Sequence, residues 1–392
     1  MSQARISEPT AGGERRCRLL IVVNVSWFFV MHRLPIALMA RRRGWDVHIA
    51  CGEGEGAEDI VAAGFPFHPL PMTRRPLAPL RDLWALWALV RLYRRLRPDV
   101  VHHVTLKPIM YGSVAARIAR VPAVVNAFAG LGFTFSGTSF GARLRQRVLQ
   151  YLLRLSLRLP RQAIVFENKD DRLLLTGIGA VPAREARVIS GIGVDTAEYP
   201  AVTEPSGPPC VLLASRMLRE KGVEYFVQAA RQLRKRGVEA RFLLVGTPDP
   251  FNPGSISEAQ LQAWSAAGTV EWAGFRRDMP SVLQSVHIVC LPTYYREGVP
   301  RILLEAAASA RALVATDTPG CRDIVQDGVN GLLVPTHDVD SLAAALEKLI
   351  GDSELRRRMG MAGRALVERQ FALPRVLDQF WDVYSLLRES DR

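Results

Sequence analysis

The sequence predicts two doubly wound α/β domains that face each other across a cleft, and three observations support this prediction. The chain has 392 residues, whereas one domain usually takes about 100–200. Short apolar runs, typical of buried parallel strands, alternate with amphipathic stretches, typical of helices. The alternation stops at a segment rich in Gly and Pro and then resumes. Alternating units of this kind favour an open parallel sheet with helices on both faces.

The first domain is predicted over residues 17–195, after a polar tail of residues 1–16 that we expect to be disordered. Its strands are predicted at Leu19–Val25, Asp46–Cys51, Val100–Val104, Ala123–Ala127 and Gln162–Phe166. Its helices are predicted at Leu34–Arg43, Leu80–Leu96, Tyr111–Ala119, about 140–160 and Asp170–Thr176. The first of these helices is expected to end at Gly44, because glycine is common just past a helix end.

The apolar run Leu19–Met31 follows a basic stretch and loosely resembles a signal peptide. Asn24 and Ser26 interrupt the run, and no small-residue cleavage site follows it. This pattern favours a buried strand followed by a loop. No stretch of the sequence reaches the roughly 20 apolar residues that span a bilayer.

The second domain is predicted over residues 210–375, after a hinge at residues 196–209 that is rich in Gly and Pro. Its strands are predicted at Cys210–Ala214, Ala240–Val245, Thr269–Ala273, Ile288–Leu291, Leu313–Thr316 and Leu332–Val334. Its helices are predicted at Val223–Arg236, Ile302–Ala310 and Ser341–Ile350. Residues 376–392 are expected to form a helix that crosses back to the first domain. Ligands of such sheets bind beyond the carboxyl ends of the strands, so the cleft between the domains is the expected site.

Composition excludes some classes of protein and leaves others open. The five cysteines are scattered, without a CxxC pair, which indicates reduced thiols in a cytoplasmic protein and no structural zinc. The net charge of +13 favours anionic partners, whether phosphates, nucleic acid or an acidic membrane surface. The high apolar content argues against a disordered chain.

The strongest chemical signal is the run from Tyr294 to Ala306, in which a strand, a loop with Gly298 and Pro300, and a helix follow each other. The helix start offers free N–H groups and a positive dipole end to a diphosphate. Glu305, within the helix, can accept hydrogen bonds from the vicinal hydroxyls of a ribose. Glu297, on the loop, can contact sugar hydroxyls or the charge that develops at the reacting carbon.

A second signal is the pair Arg216 and Lys221, which lie between a strand end and a helix. Two cations at this place can neutralise a diphosphate leaving group, as metal ions do in other transferases. Asp338 and Asp340 have the spacing of a metal-binding pair, but they lie at a helix start and are interpreted as capping residues. We therefore expect no metal and no bound cofactor.

These motifs, taken in order, resemble the C-terminal domain of the GT-4 family of retaining glycosyltransferases, which have the GT-B fold of two Rossmann-like domains. The resemblance covers about residues 210–370. The matching features are the E-x7-E spacing of Glu297 and Glu305, the pair Arg216 and Lys221, the Gly246 loop, Trp272–Arg276 and the run Thr318–Gly331.

The resemblance implies roles for these residues. Arg216 and Lys221 are expected to bind the donor diphosphate, and Glu305 the ribose. Glu297, with the backbone of Gly298 and Val299, is expected to hold the sugar and phosphate. The loop at Gly246 and the backbone near Arg276 are expected to bind the nucleotide, the latter at its base. Family members usually need no metal, and retention is generally ascribed to same-face attack assisted by the donor phosphate.

The first half resembles a narrower group, the bacterial GT-4 enzymes that extend polyprenyl-diphosphate-linked sugars, among them N-acetylgalactosaminyltransferases acting on undecaprenyl-diphosphate-linked sugars. The motifs that carry this resemblance are Val23–Pro35, His102–Pro108, Val125–Gly132 and Glu167–Asp171.

The candidate acceptor residues in these motifs are chosen for their chemistry. Lys107 can pair with a diphosphate, and His32 and Asn126 can bond hydroxyls. Gly130 and Gly132 let backbone approach a ligand closely. Ala129 stands where many GT-4 enzymes have a histidine that contacts the transferred sugar, so the general base is left unassigned.

Two basic segments suit an anionic bilayer surface. Thr73–Arg97 carries seven arginines, one acid and several aromatic residues, and Phe140–Arg161 carries six arginines and no acid among its leucines. Both segments also fit helices that cover a sheet and expose a basic face to solvent.

The sequence as a whole predicts a cytoplasmic-face, peripheral membrane glycosyltransferase. It is expected to transfer a hexose or N-acetylhexosamine from a UDP-sugar to a lipid-diphosphate-linked sugar, in the assembly of O-antigen, capsule or another glycan. A sugar-nucleotide 2-epimerase shares this fold and is the first alternative, although its histidine and acid motifs are not evident. A nucleic-acid-binding protein is a remote alternative that rests on charge alone.

Overall fold

The computed structural model describes residues 15–72, 79–132 and 140–389, and within these the strands form two parallel sheets. The first sheet has seven described strands in the order β3-β2-β1-β4-β5-β6-β7. They are β1 (Arg18–Val25), β2 (Asp46–Gly52), β3 (Phe67–Pro69), β4 (Val100–Val104), β5 (Ala123–Phe128), β6 (Gln162–Phe166) and β7 (Ala186–Val188).

The second sheet has six described strands in the order β10-β9-β8-β11-β12-β13. They are β8 (Cys210–Ala214), β9 (Arg241–Val245), β10 (Glu271–Trp272), β11 (Ile288–Leu291), β12 (Ala312–Thr316) and β13 (Gly331–Val334). In both sheets the order reverses beside the first strand of the unit, β1 or β8. This reversal defines a doubly wound sheet, whose ligand crevice lies beyond the strands' carboxyl ends.

Helices cover both faces of the first sheet, because its strands are apolar on both sides. One face packs against α1 (Ser26–His32), α2 (Leu34–Arg42) and, from the far end of the chain, α15 (Leu373–Glu389). The opposite face packs against α4 (Pro79–Leu96), α5 (Leu106–Ala119) and α6 (Phe140–Ser156). Two further helices of this half are α3 (Ala57–Ala62) and α7 (Lys169–Gly177).

The second sheet is covered in the same way. One face packs against α8 (Val223–Lys235), α9 (Glu258–Ala266) and α13 (Val339–Gly351). The other packs against α10 (Met279–Gln284), α11 (Arg301–Ala308) and α12 (Cys321–Ile324). Helix α14 (Ser353–Gln370) contributes side chains to both cores.

The predicted fold class is confirmed, and most of the predicted strands and helices are found within one or two residues of their predicted bounds. The helix predicted at Tyr111–Ala119 begins five residues earlier, at Leu106, and the helix predicted at about 140–160 ends at Ser156. The prediction of a loop after the first strand is wrong, because residues Ser26–His32 form helix α1. The strand predicted at Thr269–Ala273 shortens to two residues at the sheet edge. Most of the predicted tail, residues 1–14, lies outside the described residues, as do residues 73–78 of the first basic segment.

Helix α15, the last described helix, packs against the first sheet. Its buried side chains Phe380, Val383 and Tyr384 belong to the same core cluster as strands β1, β4 and β5. The buried hydroxyl of Tyr384 lies 2.6 Å from Nδ1 of His102 on β4. The last described helix is therefore part of the core of the first domain.

His103, the next residue of β4, is a fully buried core residue held by two neighbours. Its Nδ1 donates to Oδ1 of Asn126 over 2.9 Å, and its Nε2 accepts from the Tyr93 hydroxyl over 2.9 Å. Burial lowers the pKa of His103 to about 4, against a smaller opposing effect of the Asn126 hydrogen bond. Between about pH 4 and pH 6.5, the His103 imidazole is therefore mostly neutral in the folded protein, whereas the same imidazole is mostly protonated in the unfolded chain.

This shift predicts a measurable dependence of stability on pH. Because the folded pKa lies below the unfolded value, stability is complete above about pH 6.5 and falls as the pH drops toward 4. His103 alone is expected to remove about 3 kcal/mol of the free energy of unfolding over that range. Urea unfolding of the wild type and His103→Gln at about pH 7 and about pH 4.5 measures this. The prediction is wrong if both proteins lose the same free energy on acidification.

Candidate active site in the interdomain cleft

The centre of the candidate site is the loop that leaves β11 at Leu291 and enters α11 at Arg301. The loop lies at the carboxyl end of the second sheet, where parallel α/β sheets bind ligands. Gly298, in this loop, has its backbone so close to the first domain that a Cβ atom would lie 2.0 Å from Oε2 of Glu167. The described conformation is therefore one in which the two domains touch at this loop.

Lys221 and Glu297, predicted from separate motifs, form an ion pair in this cleft. Lys221 is in a short 3-10 turn between β8 and α8, and the pair is mostly shielded from solvent, with side chains 15% and 12% exposed. The Thr293 hydroxyl donates to the same carboxylate oxygen over 3.2 Å. The ammonium group also lies 5.8 Å from the ring centre of Tyr295. A cation and a carboxylate are thus fixed side by side where the loop meets the cleft.

Arg216, the second predicted cation, is held by a carboxylate that sequence reasoning missed. Its Nη1 lies 2.6 Å from Oδ2 of Asp249, which is almost fully buried. Asp249 is itself fixed, since its Oδ1 accepts from the Phe251 amide and its own amide donates to the Ser255 hydroxyl. The guanidinium therefore has a set orientation while part of it stays open to solvent.

Glu305, predicted to bind ribose, is buried in α11 with two partners. The Tyr199 hydroxyl donates to its Oε1 over 2.9 Å, and Nε of Arg301 donates to the same atom over 2.5 Å. Burial raises the pKa of Glu305, whereas Arg301 and Tyr199 act in the opposite direction. Arg301 also donates to the carbonyl oxygen of Met31, at the end of α1, so it bridges the two domains.

The segment Glu167–Asp171 follows β6 and contacts the loop between β11 and α11 from the side of the first domain. This loop is called the donor loop below, because it carries residues predicted to bind the donor. Asn168 caps α7 by accepting from the Asp171 amide, and its Nδ2 donates to the Glu297 carbonyl over 3.0 Å. Asp171 accepts from Arg296 over 2.9 Å and is otherwise buried, which raises its pKa. The peptide that carries Glu297 is therefore fixed by groups of the opposite domain.

Glu167 connects this network to the core. One carboxylate oxygen pairs with Arg33 at 2.7 Å, and the other accepts from the Val299 amide at 3.3 Å. Arg33 is fully buried, so this is a buried ion pair. The Val299 N–H, predicted to hold the donor phosphate, is occupied here by the carboxylate of Glu167.

Two predicted glycines lie where the domains meet. Gly130 has a φ of +87°, and a Cβ there would lie 2.6 Å from the Gly298 amide nitrogen. A Cβ on Gly132 would lie 2.3 Å from the Tyr295 hydroxyl, and its amide donates to the Arg296 carbonyl. The two glycines were predicted to let backbone approach a ligand, whereas in this structure the donor loop approaches them, through its backbone at Gly130 and the Tyr295 side chain at Gly132.

His32 lies at the end of α1, and its ring is tilted against that of Phe28 with ring centres 4.3 Å apart. Its pKa is lowered to about 3, mainly by burial and then by Arg33, Arg301 and Lys221. The structure therefore places His32 near Lys221 and Arg301, as a neutral ring that can form hydrogen bonds. A group with this pKa is a poor general base at neutral pH.

Asn126 and Lys107 have other environments than expected, whereas the prediction for Arg276 concerned its backbone. Asn126 is fully buried and holds His103 and Ser113, so its prediction as an acceptor-binding residue is wrong. Lys107 lies in the first turn of α5 and pairs with Asp82 of α4 at 3.0 Å, which already neutralises the charge predicted for a diphosphate. The guanidinium of Arg276 is exposed and pairs with Asp278 through two contacts.

Gly246 occupies the position that its motif predicts. It follows β9 with a φ of +132°, and a Cβ would lie 1.8 Å from the Ser215 carbonyl oxygen. Its amide donates to the Gly274 carbonyl, and its own carbonyl accepts from the Trp272 indole. Gly246 therefore packs the Arg216 loop and the Arg276 loop together.

Sequence reasoning missed the residues that hold the predicted ones in place, namely Arg33, Tyr199, Asp249, Arg296 and Arg301. One signal was available, because the acidic run Glu167–Asp171 follows a strand end facing a loop that carries Arg296. Among the described residues, no three His, Cys, Asp or Glu side chains come together as a metal site. Asp338 caps α13 by accepting from the Ser341 amide at 2.9 Å.

Two family models match the chain in the order of its two sheets. Residues 18–168 match the model described as glycosyl transferase 4-like, and residues 208–352 match the model described as glycosyl transferases group 1. Together they cover both sides of the cleft.

Several curated proteins are similar over most of their length. The N,N'-diacetylbacillosaminyl-diphospho-undecaprenol alpha-1,3-N-acetylgalactosaminyltransferase of Campylobacter jejuni is 27% identical over 83% of this chain and 87% of its own. The UDP-Gal:alpha-D-GlcNAc-diphosphoundecaprenol alpha-1,3-galactosyltransferase of Escherichia coli is 22% identical over 87% of this chain and 89% of its own.

A solved structure shows the same fold. Anabaena HepE, in complex with UDP and glucose, covers 94% of this chain and 100% of its own with a TM-score of 0.75 at 18% identity.

Proposed function

Because the chain belongs to the glycosyltransferases that join a glycosyl transferase 4-like domain to a group 1 domain, we propose that it is a retaining enzyme that uses a UDP-sugar. The transferred group is a hexose or N-acetylhexosamine, and the acceptor is a polyprenyl-diphosphate-linked sugar in the assembly of a cell-surface glycan. The observation that carries this proposal is the Lys221–Glu297 pair, fixed in the cleft between the domains.

The chemistry needs a cation at the leaving group and a carboxylate near the reacting sugar. A bond forms between an acceptor hydroxyl oxygen and the anomeric carbon, while the bond from that carbon to the diphosphate breaks. The electron pair leaves with UDP, and the hydroxyl proton passes to a phosphate oxygen on the same face. Charge therefore accumulates on the diphosphate, where Lys221 and Arg216 stabilise it.

Donor binding also uses the buried side of α11. Glu305 accepts hydrogen bonds from the ribose hydroxyls, in exchange for its contact with Tyr199 or Arg301. Since Lys221 and Arg216 supply positive charge at the diphosphate, the proposal requires no metal ion and no bound cofactor.

The acceptor lies on the side of the first domain. His32 and the Gly130–Gly132 loop line the cleft opposite the donor loop, so these residues are proposed to contact the acceptor sugar. The names of the Campylobacter and Escherichia relatives both state an undecaprenyl-diphosphate-linked acceptor. We extend that acceptor class to this chain, together with a place on the cytoplasmic face of the membrane.

A panel of donors and acceptors tests the proposal. UDP is expected to raise the melting temperature more than GDP or ADP, and UDP release from UDP-hexoses or UDP-N-acetylhexosamines is expected to require the lipid-linked acceptor. Product NMR is expected to show the anomeric configuration of the donor. UDP release that proceeds equally without any acceptor would contradict the acceptor class.

The same panel separates the alternatives. A 2-epimerase converts the UDP-sugar to its epimer without an acceptor, whereas a transferase leaves the sugar unchanged until the acceptor is added. A nucleic-acid-binding protein shows no thermal shift specific for one nucleoside diphosphate. The relatives named above are transferases, which favours transfer.

A further inference from the structure

Helix α6 exposes a row of large apolar side chains on the side that faces away from the core. Ala142, Leu153 and Ser156 are buried and form its inner side. The outward row has exposed fractions of 39–84%. It consists of Phe140, Leu144, Val148, Tyr151, Leu152 and Leu155.

The spacing of this row makes it a continuous stripe. Phe140, Leu144, Val148 and Leu152 follow each other at intervals of four residues, so they lie one above the other on one helix face. A surface helix normally turns its apolar stripe to the core and its polar residues to water. A stripe of six large apolar groups that faces solvent instead indicates a surface that another body covers.

A second helix on the same face of the sheet also exposes large apolar side chains. Helices α4, α5 and α6 cover the same face of the first sheet, and Arg117 of α5 donates to the Leu155 carbonyl of α6 over 2.7 Å. Trp84 and Trp87 of α4 are more than half exposed, and the Arg91 guanidinium lies 5.5 Å from the Trp87 ring. Tryptophan beside arginine is typical of the interface between lipid and water.

The positive charge of α6 indicates which kind of partner covers this surface. No acidic residue occurs between Phe140 and Arg161, whereas Arg143, Arg145, Arg147 and Arg154 of α6 are exposed beside the apolar stripe. A two-fold pairing of this face with a second copy would bring like charges together, and the centres of protein interfaces are poor in charged residues. An anionic lipid surface is complementary to both the arginines and the stripe.

We propose that the outer surface of α4–α6, which includes the α6 stripe, docks on an anionic lipid bilayer. The α6 stripe enters the interface between headgroups and acyl chains, and the arginines contact the anionic headgroups. Phe140 is eight residues beyond Gly132, a separation of at most about 28 Å for an extended chain. Gly132 contacts the donor loop, so docking places the cleft near the membrane surface.

Docking rests on the proposed function only for its biological purpose, which is to bring the enzyme to a lipid-linked acceptor. The docking itself is tested separately, because vesicle binding is measured without sugar transfer. The full chain is mixed with vesicles of phosphatidylcholine alone or with about 30% phosphatidylglycerol, and bound protein is measured by sedimentation. Binding is expected with the anionic vesicles, and it should weaken in high salt. Brominated lipids are expected to quench tryptophan fluorescence.

The decisive variant is Leu144→Ser/Val148→Ser/Leu152→Ser, in which all three exchanged side chains are exposed. It is expected to bind anionic vesicles at least about tenfold more weakly, with an unchanged melting temperature. The control, Val61→Ser/Met361→Ser, removes two equally exposed apolar groups elsewhere and is expected to bind like the wild type. Equal binding of the triple variant and the wild type would overturn the proposal.

Two further readouts identify other occupants and separate this proposal from the proposed function. If the wild type sediments as a dimer and the triple variant as a monomer, the stripe is a contact between copies and the lipid proposal is wrong. Loss of duplex DNA binding in the triple variant, without any vesicle binding by the wild type, would also overturn it. Vesicle binding without transfer to any lipid-linked acceptor supports docking while it refutes the acceptor class.

Discussion

Replacing Lys221 with alanine is expected to lower kcat by about 10²–10³-fold, with a smaller rise in KM for the donor. The ammonium group stabilises charge that grows on the diphosphate as its bond to the sugar breaks, so its contribution is larger in the transition state than in the ground state. Its loss also leaves the Glu297 carboxylate without its ion-pair partner next to the diphosphate. Steady-state kinetics with a UDP-sugar and a lipid-linked acceptor measures both constants.

The matched control is Lys235→Ala, an exposed lysine at the end of α8, which is expected to keep wild-type kinetics. A second variant, Lys221→Ala/Glu297→Gln, tests the coupling between the two side chains. Because each single change disturbs the same pair, the double variant is expected to lose less than the product of the two single effects. Unchanged turnover of Lys221→Ala would remove the main support for the proposed donor site.

Replacing Glu167 with alanine is expected to lower the free energy of unfolding of the first domain by about 3–5 kcal/mol. The change leaves the Arg33 guanidinium fully buried without its carboxylate, and a buried charge without a partner is costly. Chemical denaturation followed by tryptophan fluorescence measures the loss. Glu58→Ala, at an exposed position of α3, is the control and is expected to stay within about 0.5 kcal/mol of the wild type.

The double variant Arg33→Met/Glu167→Leu separates the charge from the packing. It is expected to recover much of the stability lost in Glu167→Ala, since apolar residues of similar volume can replace a buried ion pair. It is not expected to recover transfer activity in full, because the first domain still lacks the carboxylate that contacts the donor loop. If Glu167→Ala is as stable as the wild type, the Arg33–Glu167 pair is not the buried contact described above.

Much of the fold could be predicted because buried parallel strands leave a simple pattern. Val100–Val104 and Cys210–Ala214 are continuous apolar runs, and both are found with those bounds. Helix α1 could not be recognised, because its residues Ser26–Met31 continue the apolar run of β1. Its first residue also has no side-chain cap, since the capping position is Val25. The edge strands β3 and β7 have three residues each, which is too short for a periodic pattern.

The candidate site could also be predicted only in part. Arg216, Lys221 and Glu297 could be placed in the cleft because each follows the carboxyl end of a strand. The partners that fix them were hidden, because these contacts join residues far apart in sequence. The Asn168–Glu297 contact spans 129 residues. Asn126 was assigned to the acceptor because its polarity suggests a ligand, whereas its partners, His103 and Ser113, lie inside the core.

The packing of α15 against the first sheet has a consequence for folding during synthesis. The contact between His102 and Tyr384 joins residues separated by 282 positions. The ribosome therefore makes the whole second domain before it makes the helix that completes the core of the first. Closing so long a loop is slow, and until then the apolar strands of the first sheet lack part of the helical layer that covers one face. The first domain can therefore complete its core only after the second domain has been made.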